Sequence, residues 1–154
     1  MILSAILALL VLVQAPGAGP ERFFVGRTEG AGTVHVMVAG RHGVRVRTNG
    51  RIDSSGALIL DQIVEEEGKS ARRRTWRLLR AGNRITGTIS DVRGAVAGEV
   101  SGNRLHLRYR MADGPSVEQW IILHPNGRTA ANRMIFRRFG LNVATVEETI
   151  RRVD

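Results

Sequence analysis

The 154-residue chain contains no cysteine. Disulfides, thiol nucleophiles and cysteine-based metal sites are therefore excluded, and so is lipid attachment through an N-terminal cysteine. Lysine is almost absent too, because Lys69 is the single lysine among 23 basic residues. Aromatic residues make up only 5% of the chain, and no long segment has the apolar spacing of an amphipathic helix. The chain is therefore rich in arginine, contains no thiol, and gives no sign of a helical core.

The charge that is present has one dominant sign. The formal net charge is +9 at pH 7, and arginines alternate with apolar residues in segments 44–47 (VRVR) and 107–110 (LRYR). This alternation is typical of half-buried strands whose arginines face solvent. The basic face either keeps the protein soluble or attracts anionic lipid headgroups; nucleic acid is the least favoured partner, because export removes the protein from it.

The N-terminus has the pattern of an export signal. Residues 1–13 are almost wholly apolar, and small residues including Ala15 and Gly17 follow before the first charge at Glu21. The apolar run is too short for an ordinary membrane-spanning helix, which needs about 20 residues. We predict a signal peptide over residues 1–17, or an uncleaved anchor because no basic residue precedes it, and a single domain over residues 18–154. The predicted location is the periplasm, without a lipid anchor.

Turn signals occur at short intervals, and the runs between them alternate with period two. Ten consecutive antiparallel strands with short connections leave two unpaired edges unless the sheet closes. We therefore predict an all-β fold, an antiparallel up-and-down β-barrel of about ten strands that is lipocalin-like. Arginine-studded faces disfavour a membrane barrel. The predicted strands are 33–39, 43–52, 57–65, 70–80, 84–90, 94–101, 104–111, 117–124, 128–137 and 142–151.

A glycine pattern supports tight packing in one of these strands. Gly94, Gly98 and Gly102 recur every four residues, with Val96 and Val100 between them. In a strand these five positions share one face. Such a face leaves room for large side chains of neighbouring strands, so it predicts a packed wall of the barrel.

Several motifs resemble the domain-of-unknown-function family 3833. They are Arg74-Thr75-Trp76, the core of segment 91–103, Tyr109, Trp120, Asn132-Arg133-Met134 and Phe139-Gly140. The resemblance implies a small bacterial envelope protein, frequently a lipoprotein, with lipocalin-like architecture by analogy. It brings no catalytic residues. This chain departs from the lipoprotein members because it has no lipobox cysteine, and it reads Val117-Glu118-Gln119 where a more acidic run is expected.

No catalytic signature accompanies the fold pattern. There is no Gly-x-Ser-x-Gly motif, no phosphate-binding loop and no His-x-His or His-x-x-x-His pair. We therefore predict no catalytic residues, no metal site and no cofactor.

Asp91 and Glu99 are the one carboxylate pair with chemical interest, because both flank the glycine face, and Arg108 and Arg133 are candidates to approach them. The pair fits a structural ion-pair network, a polar anchor for a ligand, or a general acid and base.

The residues together predict a monomeric barrel that binds a small hydrophobic or amphiphilic molecule in its interior, with two tryptophans lining an apolar pocket. One alternative is a lipocalin-shaped isomerase or hydrolase that uses Asp91 and Glu99. Another is a non-catalytic envelope partner that acts through its basic surface. The predicted ligand-binding residues are Arg74, Trp76, Asp91, Glu99, Tyr109, Trp120 and Arg133.

Overall fold

The structure is a computed structural model that describes residues 19–154. The predicted signal segment and its cleavage site lie outside the described residues. The described part begins with a 3₁₀ helix, Pro20–Phe24, and continues as ten strands. These are β1 (Gly26–Val36), β2 (Gly40–Ile52), β3 (Leu58–Glu66), β4 (Arg72–Ala81), β5 (Arg84–Ile89), β6 (Val92–Ser101), β7 (Arg104–Met111), β8 (Ser116–Leu123), β9 (Thr129–Arg138) and β10 (Leu141–Arg152).

Every strand pairs antiparallel with the next one along the chain, and β1 pairs with β10 to close the barrel. The predicted all-β, ten-stranded lipocalin-like barrel is confirmed. Closure follows from the strand pattern, since it leaves no strand edge free to pair with another chain.

The first strand begins earlier than predicted, at Gly26 rather than at residue 33. Its glycines look like a loop signal, but they permit close strand packing. A side chain at Gly32 would collide with the backbone oxygen of Glu147, and one at Gly30 would lie 2.6 Å from the carboxyl carbon of Glu148. Glycine is therefore needed where β1 lies against β10.

The glycine face of β6 is confirmed in its central part only. Val96, Gly98 and Val100 are buried, and a side chain at Gly98 would collide with the backbone oxygen of His106 on β7. Gly94 (φ +73°) and Gly102 (φ +56°) instead have left-handed backbone conformations, and a side chain at either position would meet no atom within 4 Å. They belong to a bulge and a turn, where the alternation of the strand is interrupted.

The two ends of the barrel differ. One end carries turns 53–57, 82–83, 102–103 and 124–128. The N-terminal 3₁₀ helix packs against this end, and we call it the closed end. Phe23 and Phe24 are buried with their rings nearly perpendicular, and Arg152 donates hydrogen bonds to the backbone oxygens of Phe23 and Val25 at 3.0 and 2.8 Å. The open end carries turns 37–39, 67–71, 90–91, 112–115 and 139–140.

Candidate functional site: the interior cavity

A cavity of about 240 Å³ occupies the barrel interior. It extends from Phe24 of the N-terminal helix to residues of the open end, including Lys69, Asp113 and Pro115. Most of its wall consists of aliphatic side chains at alternate positions of the strands, as barrel interiors require. They include Val34, Val44, Leu58, Leu60, Leu78, Leu105, Leu107, Ile121, Val146 and Ile150.

A chain of buried polar side chains crosses four adjacent strands of this apolar wall. Tyr109 of β7 donates a hydrogen bond to Gln119 of β8 at 2.9 Å. Gln119 donates to Asn132 of β9 at 3.0 Å, and Asn132 donates to Glu148 of β10 at 3.3 Å. All four side chains are buried. We call this set the polar belt; each link satisfies a group whose burial would otherwise be costly.

Glu148 is the ionisable end of the polar belt. Burial raises the pKa of its carboxyl above the usual 4.5, although the hydrogen bond from Asn132 opposes the shift. The carboxyl therefore keeps its proton to a higher pH than an exposed glutamate does. A protonated Glu148 can donate a hydrogen bond to a carbonyl or hydroxyl group of a molecule in the cavity.

A second polar group lies across the barrel on β2, β3 and β4. The indole nitrogen of Trp76 donates to Gln62 at 2.6 Å, and Gln62 donates to Thr48 at 3.1 Å. Trp76 also packs edge-on against Tyr109, with ring centroids 5.7 Å apart. Burial raises the pKa of Tyr109 to about 12, with Arg74 opposing the shift, so its hydroxyl stays a neutral donor.

Arg74 is the cation nearest the middle of the cavity wall. Its Nε donates to Asp91 at 2.8 Å, and its guanidinium lies over the ring of Trp76 at 5.2 Å. Its side chain is only 6% exposed, whereas that of Asp91 is 29% exposed. Among the described residues, Asp91 is the only carboxylate that pairs with Arg74, and the Nη2 atom lies 4.0 Å from the sulfur of Met111. The guanidinium thus retains hydrogen-bonding capacity toward the cavity.

Four of the seven predicted site residues therefore lie in or beside the cavity: Arg74 and Trp76 line it, Tyr109 is buried against Trp76, and Asp91 pairs with Arg74. The other three point outward, because their strand neighbours occupy the inward positions. Glu99 pairs with Arg108, Trp120 stacks on His106 with ring centroids 5.0 Å apart, and Arg133 lies exposed opposite Trp120. Glu99, Trp120 and Arg133, which are predicted to bind the ligand, therefore do not line the cavity.

The predicted approach of Arg108 to Glu99 is confirmed, with Nη1 2.9 Å from a carboxyl oxygen of Glu99. This ion pair lies on the outer face, while Asp91 lies in a turn at the open end and pairs with Arg74. Hydrogen bonding by Arg108 lowers the pKa of Glu99. The two carboxylates thus have separate partners on separate surfaces and do not form an acid and base pair.

Among the polar residues of the cavity wall that sequence reasoning missed, four share one feature. Each occupies an inward position between two apolar residues of the same strand, and that interruption of the apolar alternation is the signal that identifies them. They are Gln62 between Leu60 and Val64, Gln119 between Val117 and Ile121, Asn132 between Ala130 and Met134, and Glu148 between Val146 and Ile150.

Two further observations apply to residues 19–154. No three histidine or acidic side chains there come together in a way that would hold a metal ion. Within the same range, no helix is long and apolar enough to cross a membrane.

The fold and cavity define a lipocalin-like barrel with a partly polar interior. The sequence profile of the family described as "Protein of unknown function (DUF3833)" matches residues 13–152, so the chain belongs to this family. No curated protein matches the chain in sequence.

Two solved structures illustrate how far the fold extends beyond the family. The S-type phycobiliprotein lyase CPES from Guillardia theta is similar with a TM-score of 0.70 and 10% identity, over 87% of this chain and 90% of that one. A protein with unknown function from the DUF3598 family of Nostoc punctiforme is similar with a TM-score of 0.65 and 13% identity, over 85% of this chain and 48% of that one. At these identities the likeness concerns the fold alone.

Proposed function

We propose that the barrel binds a small amphiphilic molecule, with its apolar body in the cavity and its polar group at Arg74 and the polar belt. The observation that carries the proposal is an open apolar cavity of about 240 Å³ whose wall contains buried hydrogen-bonding groups. Binding sites for small molecules generally combine a mainly apolar lining with a few placed polar groups.

The polar groups restrict the chemistry of the ligand. Arg74 favours an acidic or strongly accepting group, because its guanidinium is always charged. Glu148, whose pKa is raised by burial, favours a carbonyl or hydroxyl further inside when its carboxyl is protonated. The cavity volume of about 240 Å³ is below the usual range for ligand sites, roughly 300 to 1,000 Å³, so a ligand longer than the cavity extends through the open end.

The enzyme alternative receives less support. An isomerase or hydrolase that relies on Asp91 and Glu99 needs both carboxylates at one ligand, and they face different surfaces. A lyase is among the proteins with this fold, but at 10% identity the likeness concerns the fold alone and gives no support for a shared activity.

The basic-partner alternative receives less support because part of the basic outer face is paired with acidic neighbours, for example Arg47 with Glu65 and Arg151 with Glu29. Export to the periplasm by residues 1–17 remains part of the proposal, and cell fractionation with mass measurement of the N-terminus tests it.

Dye binding tests the cavity directly. A naphthalene-sulfonate dye and a fluorescent fatty acid should bind the full-length protein and quench tryptophan emission. Arg74→Met should weaken binding of the anionic probes about tenfold to hundredfold, because a charged hydrogen bond contributes about 1.5 to 3 kcal/mol. An uncharged probe of similar size should lose less. Arg133→Met is the matched control, since it removes an equal charge from the outer face.

A second variant guards against misfolding of Arg74→Met. Ala144→Phe adds bulk at a half-buried position of the cavity wall without removing a charge, and it should block both probes while the far-ultraviolet spectrum stays unchanged. Equal affinities for Arg74→Met and Arg133→Met, or no dye bound by the wild type, would contradict the proposal.

A further inference from the structure

Large apolar side chains are exposed mainly at one end of the barrel. Met37, Val38, Phe139 and Leu141 are 67%, 100%, 96% and 69% exposed. All four belong to turns 37–39 and 139–140 or to the residue that follows, at the open end. Exposed apolar groups gathered at one place indicate an interaction surface, whereas scattered ones do not.

The two turns are neighbours. The backbone nitrogen of Met37 donates to the oxygen of Val143 at 3.1 Å, and Val36 lies opposite Ala144 in the pairing of β1 with β10. The four side chains therefore form one patch, which we call the apolar rim. Val36, Phe136 and Ala144 line the cavity immediately below, so the apolar rim adjoins the mouth of the cavity.

The backbone conformation of Phe139 is unfavourable for a phenylalanine. Phe139 has φ +52° and Gly140 φ +75°, which is the conformation of a two-residue hairpin turn that favours Asn-Gly. A bulky residue with positive φ is strained. Because Phe139 is almost fully exposed, no contact within the described residues offsets the strain, and such strain is often found at functional positions.

The two chain segments that form the apolar rim carry charged side chains of one sign. Segments 35–42 and 137–144 contain Arg41, Arg137 and Arg138 and no acidic residue. Arg41 and Arg138 are exposed. Surfaces that bind anionic membranes combine apolar side chains with flanking arginines. The apolar side chains insert at the boundary between headgroups and acyl chains, and the arginines interact with the anionic headgroups.

We propose that the apolar rim docks on the surface of an anionic phospholipid bilayer, with Met37, Val38, Phe139 and Leu141 inserted at the headgroup boundary. Docking would place the cavity mouth against the lipid, so that an amphiphile can pass between bilayer and cavity without crossing water. That last step rests on the proposed function; docking itself does not.

The absence of cysteine in the chain allows a local measurement. Val38→Cys, labelled with an environment-sensitive fluorophore, reports on the apolar rim. Ser55→Cys, labelled in the same way, is the matched control in a turn of the closed end. Each full-length protein is mixed with vesicles of phosphatidylglycerol and phosphatidylcholine, and separately with vesicles of phosphatidylcholine alone.

We expect a blue shift at position 38 with the anionic vesicles, little shift with the neutral ones, and none at position 55. The apolar N-terminal segment leads into the 3₁₀ helix of the closed end, so membrane attachment through it would favour a response at position 55 and not at position 38. Phe139→Asp and Leu141→Asp, added to the Val38→Cys protein, should weaken binding to the vesicles. The lipid concentration required for the half-maximal shift should rise at least tenfold.

Docking would be overturned by an equal response at both positions, by no response at position 38, or by a response that the two aspartates leave unchanged. A shift at position 38 that grows with protein concentration in the absence of lipid would assign the rim to contact between copies and also overturn docking. Dye binding in lipid-free solution tests the cavity independently, so failure of one proposal is distinguishable from failure of the other.

Discussion

The closed and open ends of the barrel use their residues differently. At the closed end, turn 53–57 is held by Asp53, which accepts hydrogen bonds from the backbone nitrogens of Ser55 and Ala57 at 2.9 and 3.0 Å. Asn126 holds turn 124–128 in the same way through Arg128 and Thr129. At the open end, turns 37–39 and 139–140 instead expose apolar side chains. The closed end is organised for stability, and the open end carries a cost that folding alone does not explain.

The N-terminal helix completes this contrast. Glu21 is buried and pairs with Arg80 at 2.7 Å, and Phe24 forms the floor of the cavity. At the other end, the cavity reaches Lys69 and Arg72, whose side chains are largely exposed. The floor is therefore fixed by packing and ion pairing, while a ligand has access from the open end.

The largest expected effect comes from breaking the closed end at Gly50. A side chain there would collide with the backbone oxygen of Phe24, so Gly50→Ala must displace the 3₁₀ helix or β2. We expect a loss of about 1 to 3 kcal/mol in the free energy of unfolding, as for other overpacked sites. Urea unfolding followed by tryptophan fluorescence measures the change.

Gly43 provides the matched control on the same strand near the open end. A side chain at Gly43 would meet only the flexible side chain of Glu67, at 3.0 Å and beyond. Gly43→Ala should therefore change stability by less than about 0.5 kcal/mol. If Gly50→Ala and Gly43→Ala unfold at the same urea concentration, the helix is not packed as described and the contrast between the ends disappears.

A smaller effect of opposite sign is expected at the open end. Phe139→Asn places a residue that favours the left-handed conformation in a turn that requires it. Removing this strain should stabilise the protein by about 1 kcal/mol, measured by urea unfolding. Phe139→Ala keeps the strain while also removing the ring, so it should not stabilise. Stabilisation by both variants would attribute the cost to the exposed ring and not to the backbone.

Much of the fold follows from local pattern. Period-two alternation and regular turns predict all ten strands, and the boundaries of β7 agree with the structure at both ends. The early part of β1 was missed because glycine is ambiguous: the same residue marks a loop or a close approach of strands. The position of Glu148 and of the Glu147 backbone on the neighbouring strand shows that the glycines of β1 mark a close approach of strands and not a loop.

The candidate site is less predictable, because residue type alone does not give direction. Trp120 and Arg133 were predicted inside on their chemistry, but a shift of one position along a strand moves a side chain to the opposite face. Gln119 and Asn132, their neighbours in sequence, occupy the interior instead. Strict attention to which face carries the apolar residues finds these two; closure of the barrel is what joins them into one hydrogen-bonded chain with Glu148.

The smallest expected effect concerns Glu148, between the two ends, and it depends on pH. Burial raises the pKa of this carboxyl in the folded protein above its usual 4.5. Below pH 4.5 the carboxyl is protonated in both folded and unfolded protein, so it adds no pH dependence there. As pH rises further, the unfolded protein releases the proton first, and folding then has to retain a proton or bury a charge.

The stability of the wild type should therefore fall with pH on account of this group, until the pH passes the raised pKa of the folded state. Glu148→Gln keeps an acceptor for Asn132 and removes the titration, so its stability relative to the wild type should increase as the pH rises above 4.5. Glu147→Gln removes the carboxylate of the exposed neighbour and is the control in the same urea unfolding series. A stability difference for Glu148→Gln that shrinks as pH rises would mean that a cation in the cavity stabilises the carboxylate, and the polar belt would then recognise a basic group rather than a carbonyl or hydroxyl.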